Sequence, residues 1–498
     1  MRFSIISILA AFPPWVHDRS QPALWTVPWL DWRGFWQQYI LDDRFIGTYF
    51  LAAVPFLLLL PPRYLRHGLA VSGVLFLLYV FGALYVPVWL VMCAVFYLLT
   101  ELFDREVRRR DAPRWGPPVA AVLILSIWYV ATLRIYTFRL PAELNHYLFH
   151  HCPWLFPLGF RNLPWEYFSF YLTGDFAQNP PQLFQVLFIL PQINGLVIFV
   201  IRMISYFGDL KRGLIPRERR SFLNFLVFAT YGPALAQGPI ERFTEFHDEI
   251  ATCHQRRSLR RAAYGAGRIL LGLAKSVFCT VYLLPILVPL MLEQDYYHHP
   301  ERVDSMWLLL FGVHLNVLAL YLEFSGCSDV AIGISHILGY RMIENFRRPW
   351  LATSIRDLWR RWHISFSFIL RDYIYIPLGG GRRHAARNVF ITFTLCALLH
   401  NLNPNFLLWG ILMSLLVLAH RGWDDWMKRL DSRPTGRLPA ARRAFLRLRP
   451  LPQFCAWLLT MNAFVLSLIV VPAGLDCWRV PWEILRRFSA WISAGGGP

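Results

Sequence analysis

Charge is what this chain has least of. Only 16% of its 498 residues are charged, and aspartate plus glutamate account for just 31. Soluble domains carry about a quarter charged residues, so a string of packed soluble domains is excluded as the main architecture. Cysteine is present eight times but never as C-x-x-C, and Cys93, Cys279, Cys327, Cys396 and Cys455 lie in apolar or near-apolar stretches. That pattern excludes a disulfide framework and argues against a zinc site. The sequence also lacks a repeat of fixed period, a low-complexity linker and a serine in a nucleophile-elbow pattern, so a covalent serine mechanism has no support. The opening "MRFSIISILAAFPPWVHDRS" lacks a small-residue cleavage site and reads as an interfacial or partly inserted segment rather than a signal peptide.

What is abundant is apolar and aromatic surface: 56% of residues are hydrophobic and 16% aromatic. The net charge of +19 comes from short clusters between apolar runs, as in "REVRRRDAPR", "KRGLIPRERR", "HQRRSLRR" and "KRLDSRPTGRLPAARRAFLRLR". Lysine and arginine mark cytoplasmic loops in this way. A nucleic-acid protein needs them on one continuous face, so nucleic acid is excluded as a partner. The expected surroundings are membrane lipids.

A membrane helix needs about 20 mostly apolar residues. Candidate spans are 46–61, 68–85, 86–103, 117–138, 183–206, 264–291, 305–323, 388–401, 405–420 and 453–473. The expected fold is an all-α polytopic integral membrane protein, with about 10–11 transmembrane helices plus re-entrant segments. Basic loops at 62–67, 104–114, 207–221 and 241–263 fall inside, and 139–181 and 292–304 fall outside. Segment 222–240 therefore should not cross. Its Gly232-Pro233 and Gly238-Pro239 pairs break a helix, which makes it re-entrant. The basic residues from Arg341 to Arg387 are cytoplasmic, which makes 357–378 a second re-entrant or in-plane segment. The expected regions are an N-terminal membrane region (1–182), a core with both re-entrant segments (183–421), and a basic cytoplasmic loop with a last helix (422–498).

Two histidines are the candidates for chemistry. From a helix start near Asn388, His400 lies about 18 Å in, past the middle of a core of about 30 Å. "NLNP" follows it and cannot stay helical through Pro404. A neutral buried imidazole there suits a general base, against the alternative of a structural histidine bonded to a neighbouring helix. His363 lies in "RRWHIS", where helical spacing predicts one face for Trp359, His363, Phe366, Leu370 and Tyr373. Arg360 and Arg361 match phosphate geometry and suit a phosphate-bearing donor, or else snorkel to lipid headgroups. Ser365, Arg371 and Asp372 are grouped with them as the candidate donor end. Asp329 and Glu344 either orient a base or neutralise arginines, and Lys275 is a costly charge in an apolar run. "PLGGGRR" lacks the strand-Gly-helix context of a phosphate loop.

The blocks "YLEFSGCSDVAIGISHILGYRMIENFRRPW", "LWRRWHISFSFILRDYIYIPLGGGRR" and "LLHNLNPNFLLWG", with "FATYGPALAQGPIERFTEF" and "MISYFGDLKRG" before them, resemble the membrane-bound O-acyltransferase family. The resemblance runs from about Met203 to Gly410, with the bacterial alginate O-acetylation and teichoic-acid D-alanylation branch as the nearest. It implies that His363 and His400 are the two functional histidines, with His400 catalytic. Asn345, Asn405 and Trp409 lie in the same blocks and are expected to support them. It also implies a central tunnel, no bound cofactor, and a cytoplasmic thioester co-substrate, acetyl-CoA or an acyl carrier protein. The acceptor hydroxyl lies beyond the membrane on a polymer, lipid or carrier, and an extracytoplasmic acyltransferase or carrier is the expected partner in a bacterial cytoplasmic membrane. Where that family has Gly-Leu-Trp-His-Gly, this chain has Ala397-Leu398-Leu399-His400-Asn401. D-alanyl transfer through a carrier protein, and a non-catalytic transporter or scaffold, stand as alternatives.

Overall fold

The computed structural model describes residues 46–81, 85–109, 190–283, 287, 296–297, 299–303, 305–400, 404–431 and 451–493. Every regular element among the described residues is helical. The described residues fall into two compact units, one within Trp25–Ser276 and Phe324–Ile343, the other within Val277–Glu323 and Glu344–Pro498. The expected span 117–138, the loop 139–181 and most of the basic loop after residue 431 lie outside the described residues.

The first unit contains α1 (Ile46–Leu59), α2 (Leu65–Phe81), α3 (Tyr85–Arg109), α4 (Leu190–Lys211), α5 (Phe222–Thr230), α6 (Gly232–Leu235), α7 (Phe243–Thr252) and α8 (Leu259–Phe278). Ser221 caps α5 by accepting from the Asn224 N–H at 3.1 Å. α5 then stops after nine residues, about 13 Å, because Tyr231 turns to ψ 106°. Pro233 sits in the first turn of the short α6, where its missing N–H costs nothing. The helix break expected at Gly232-Pro233 is therefore present, and α5 is too short to cross a core of about 30 Å. Gly73 lets α2 touch it: a Cβ there would lie 2.6 Å from the Thr230 carbonyl oxygen.

Helix α9 (Met306–Ile337) is 32 residues long, about 48 Å, and does not stop at residue 323 as expected. The reason is that "SGCSDVAIG" buries its polar groups instead of solvating them. Ser325, Ser328 and Asp329 are all buried. Glycines bring this stretch against α8: a Cβ on Gly272 would lie 2.5 Å from the Gly326 carbonyl oxygen, and one on Gly265 2.5 Å from that of Gly333. Across this contact Asp329 accepts from Arg268 Nε at 2.9 Å and from Lys275 Nζ at 2.5 Å.

The second unit contains α10 (Ile355–Arg361), α11 (Ile364–Leu370), α12 (Ala385–His400), α13 (Pro404–Asp431), α14 (Leu451–Ala473) and α15 (Arg479–Ser493). Gly379 and Gly380 take positive φ, and this turn leads into α12. Asn388, fully buried, donates to the Gly380 and Arg383 carbonyls at 2.9 and 2.7 Å. "PLGGGRR" is thus a helix-entry turn tied from inside. On α15, Trp482, Leu485, Phe488 and Ile492 are exposed, while Glu483 packs inward and pairs with exposed Arg486 and half-buried Arg487. Hydrogen bonds from those two arginines hold the Glu483 carboxyl down at about 2.

Three described helices are long and apolar enough to cross a membrane: Met306–Ile337, Pro404–Arg429 and Leu451–Val471. On α13 the exposed Leu407, Ile411 and Leu415 recur at i, i+4, i+8, a stripe suited to hydrocarbon.

Candidate active site

His363 does not continue a helix. It adopts φ 44°, ψ 53°, the left-handed region, between α10 and α11. Two backbone hydrogen bonds fix this corner: Arg347 N–H to Arg361 O and Ile364 N–H to Asn345 O, both 2.9 Å. The single face expected for Trp359, His363, Phe366, Leu370 and Tyr373 is therefore corrected. Trp359 belongs to α10, Phe366 and Leu370 to α11, and Tyr373 to the wider turn Arg371–Tyr375 that follows. The left-handed backbone at His363 interrupts the helix, so a 3.6-residue period does not carry across it.

The corner has a specific consequence for the imidazole. Asn345 is fully buried, and its Oδ1 accepts from Ser365 Oγ at 2.9 Å and Ser365 N–H at 3.4 Å. The backbone N–H fixes which amide atom is the oxygen. His363 Nδ1, 3.1 Å from the same oxygen, must then donate, and its Nε2 carries the lone pair.

The same logic applies at His400, the last residue of α12. Its Nδ1 lies 2.7 Å from the Cys396 carbonyl oxygen, one turn earlier. A carbonyl only accepts, so Nδ1 is the protonated nitrogen and Nε2 carries the lone pair. The ring is packed by aromatics: Phe366 edge-on at 5.6 Å, Phe406 stacked at 6.2 Å and Trp409 edge-on at 5.8 Å. Phe366 also lies 4.9 Å from the His363 ring, which places both imidazoles against one side chain. Trp359 joins through Trp409 at 6.4 Å and Phe393 at 5.3 Å.

The other predicted site residues divide. His363, Asn345, Ser365, His400, Trp359 and Trp409 come together as described. Arg361 pairs with Asp357 Oδ2 at 2.9 Å and Arg371 with its neighbour Asp372 at 2.6 Å, while Arg360 is exposed. Glu344 and Tyr373 are half-buried. Asn405 Nδ2 donates to the Val471 carbonyl at 3.1 Å, joining α13 to α14. Lys275 and Asp329 belong to the ion cluster with Arg268. Asn401 lies outside the described residues, and Leu399 is half-buried.

Sequence reasoning missed four residues. Cys396 and Phe406 frame His400, and Cys396 had a usable signal, its i−4 spacing. Asn388 ties the helix-entry turn and offers no local signal. Arg202, hidden in a span read as apolar, is fully buried, with its guanidinium 4.1 Å from the Phe228 ring centre and 5.2 Å from that of Phe246.

Residues 160–461 match the profile of MBOAT, the membrane-bound O-acyltransferase family. The probable alginate O-acetylase AlgI of Azotobacter vinelandii is 35% identical over 301 residues, 60% of this chain and 54% of that protein. The peptidoglycan O-acetyltransferase of Helicobacter pylori is 28% identical over 246 residues, 48% of this chain and 42% of that protein. The teichoic acid D-alanyltransferase of Bacillus subtilis is 23% identical over 254 residues, 49% of this chain and 62% of that protein. The chain spans about half the length of these curated relatives.

Proposed function

The chain belongs to the membrane-bound O-acyltransferase family, and on that premise we propose that it transfers an acyl group, in our reading acetyl, to a hydroxyl. The donor is a cytoplasmic thioester, acetyl-CoA or an acyl carrier protein. The acceptor is an extracytoplasmic polysaccharide, cell-wall polymer or carrier, and the protein works in a bacterial cytoplasmic membrane beside an extracytoplasmic acyltransferase or carrier partner. The observation that carries this reading is the geometry of His400. Its Nδ1–H is committed to the Cys396 carbonyl, which leaves Nε2 as a base inside an aromatic enclosure.

In the proposed reaction His400 Nε2 takes the proton of the acceptor hydroxyl as its oxygen attacks the thioester carbonyl. His363, turned toward the same Phe366, shapes the donor side, and exposed Arg360 meets the donor's phosphates. General-base help is worth about 10²–10⁴ in rate. His400→Ala in reconstituted vesicles is expected to lose transfer from labelled acetyl-CoA by that factor while the protein inserts normally. Wild-type rates in that variant would overturn the assignment. A D-alanyl donor carried by a protein is the second reading, in line with the teichoic acid D-alanyltransferase among the relatives. Mass spectrometry of the surface polymers with and without the intact protein distinguishes the two acyl groups.

A further inference from the structure

The aromatic enclosure of His400 contains a donor that no described residue accepts. Trp409 is only 5% exposed, yet its indole Nε1–H is buried without an acceptor among the described residues. The Nε1–H of its neighbour Trp359 is in the same position. Buried indole N–H groups ordinarily find a partner, and leaving one unmet is costly.

Acyl transfer requires such a donor. When the thioester carbonyl is attacked, its oxygen becomes an anion, and preorganised N–H groups about 2.7–3.1 Å from it supply much of the rate. Around His400, Phe366 and Phe406 have no polar hydrogen to offer. Its own Nδ1–H is spent on the Cys396 carbonyl, and Nε2 is the base. Trp409 lies 5.8 Å from the imidazole, ring centre to ring centre.

We propose that the indole N–H of Trp409, with that of Trp359 behind it, binds the oxyanion of the acyl-transfer intermediate. The proposal rests on the acyltransferase reading given above. The acceptor oxygen forms a bond to the carbonyl carbon and its proton passes to His400 Nε2. The carbonyl π pair moves onto oxygen, which accepts the Trp409 N–H. The C=O bond then re-forms, the C–S bond breaks, and the departing thiolate takes the proton back from the imidazolium. Atoms and charge balance with no further reactant.

The test uses the full chain in proteoliposomes, labelled acetyl-CoA as donor and glycerol as the hydroxyl probe. Trp409→Phe removes the N–H and keeps an aromatic ring. Replacement of Trp409 by benzothienylalanine, in which sulfur takes the place of N–H, keeps the full ring shape as well. Both are expected to lower kcat by about 10²–10³ with KM for acetyl-CoA within about twofold. Transfer within about threefold of wild type in the benzothienylalanine protein would overturn the proposal, as would a loss confined to KM. His400→Ala is run in parallel. Wild-type transfer in that variant counts against the general-base reading alone, since the oxyanion donor is read out by its own two variants.

Discussion

Asn345 shows how one side chain sets the chemistry of another. Its Oδ1 accepts from both the hydroxyl and the N–H of Ser365, and so dictates that His363 Nδ1 donates. Asn345→Leu would strand these buried groups, at about 1–3 kcal/mol for each unmet partner. The purified variant is expected to melt several degrees lower in detergent, and Asn345→Asp, which keeps an acceptor oxygen, is expected to melt closer to wild type. Equal melting of Asn345→Leu and wild type would remove this hydrogen-bond role. The two candidate histidines stand out in the sequence, His400 through its expected depth and the following proline, His363 through its motif. Their hydrogen-bond partners were not all legible. Ser365 and Asn345 are 20 residues apart, and no local pattern records that contact. The unmet indole N–H groups were equally invisible, because lacking a partner is a property of the whole packed neighbourhood.

At the level of elements, glycine and proline reported breaks well and charge reported them badly. The stop in α5 follows from Tyr231-Gly232-Pro233. The length of α9 does not follow from hydropathy, because Ser325, Ser328 and Asp329 look like a helix leaving the membrane and are instead buried against α8. Asp329 is there to neutralise Arg268 and Lys275, with those side chains 7%, 16% and 19% exposed. Asp329→Asn leaves two cations facing an amide and is expected to cost about 3–5 kcal/mol. Adding Lys275→Met to it should recover part of the loss, read by thermal unfolding in the same detergent. A double variant no more stable than the single one would show that the two charges do not share the carboxylate.

For the whole molecule, the alternation of basic and neutral loops predicts sidedness. Single cysteines replacing Gln255 and Arg382, both exposed, are expected to react with an impermeant maleimide from the cytoplasmic face, and one replacing His299 from the opposite face. Labelling of position 382 from outside would sink the topology, and with it a cytoplasmic donor near Arg360. The membrane character of the chain was legible at this scale, since composition and loop charge sum over hundreds of residues and are insensitive to any single contact.

Sequence alone thus determined the class of protein and the break at Gly232-Pro233, and it singled out the two candidate histidines, because apolar content, backbone restriction and motif spacing are local properties. The tertiary structure decided which nitrogen of each histidine carries the lone pair and which indoles beside His400 find no acceptor among the described residues. Those depend on groups brought together from α10, α11, α12 and α13 and from the segment around Asn345, where a hydrogen bond exists only once distant atoms have been packed within 3 Å or so of one another.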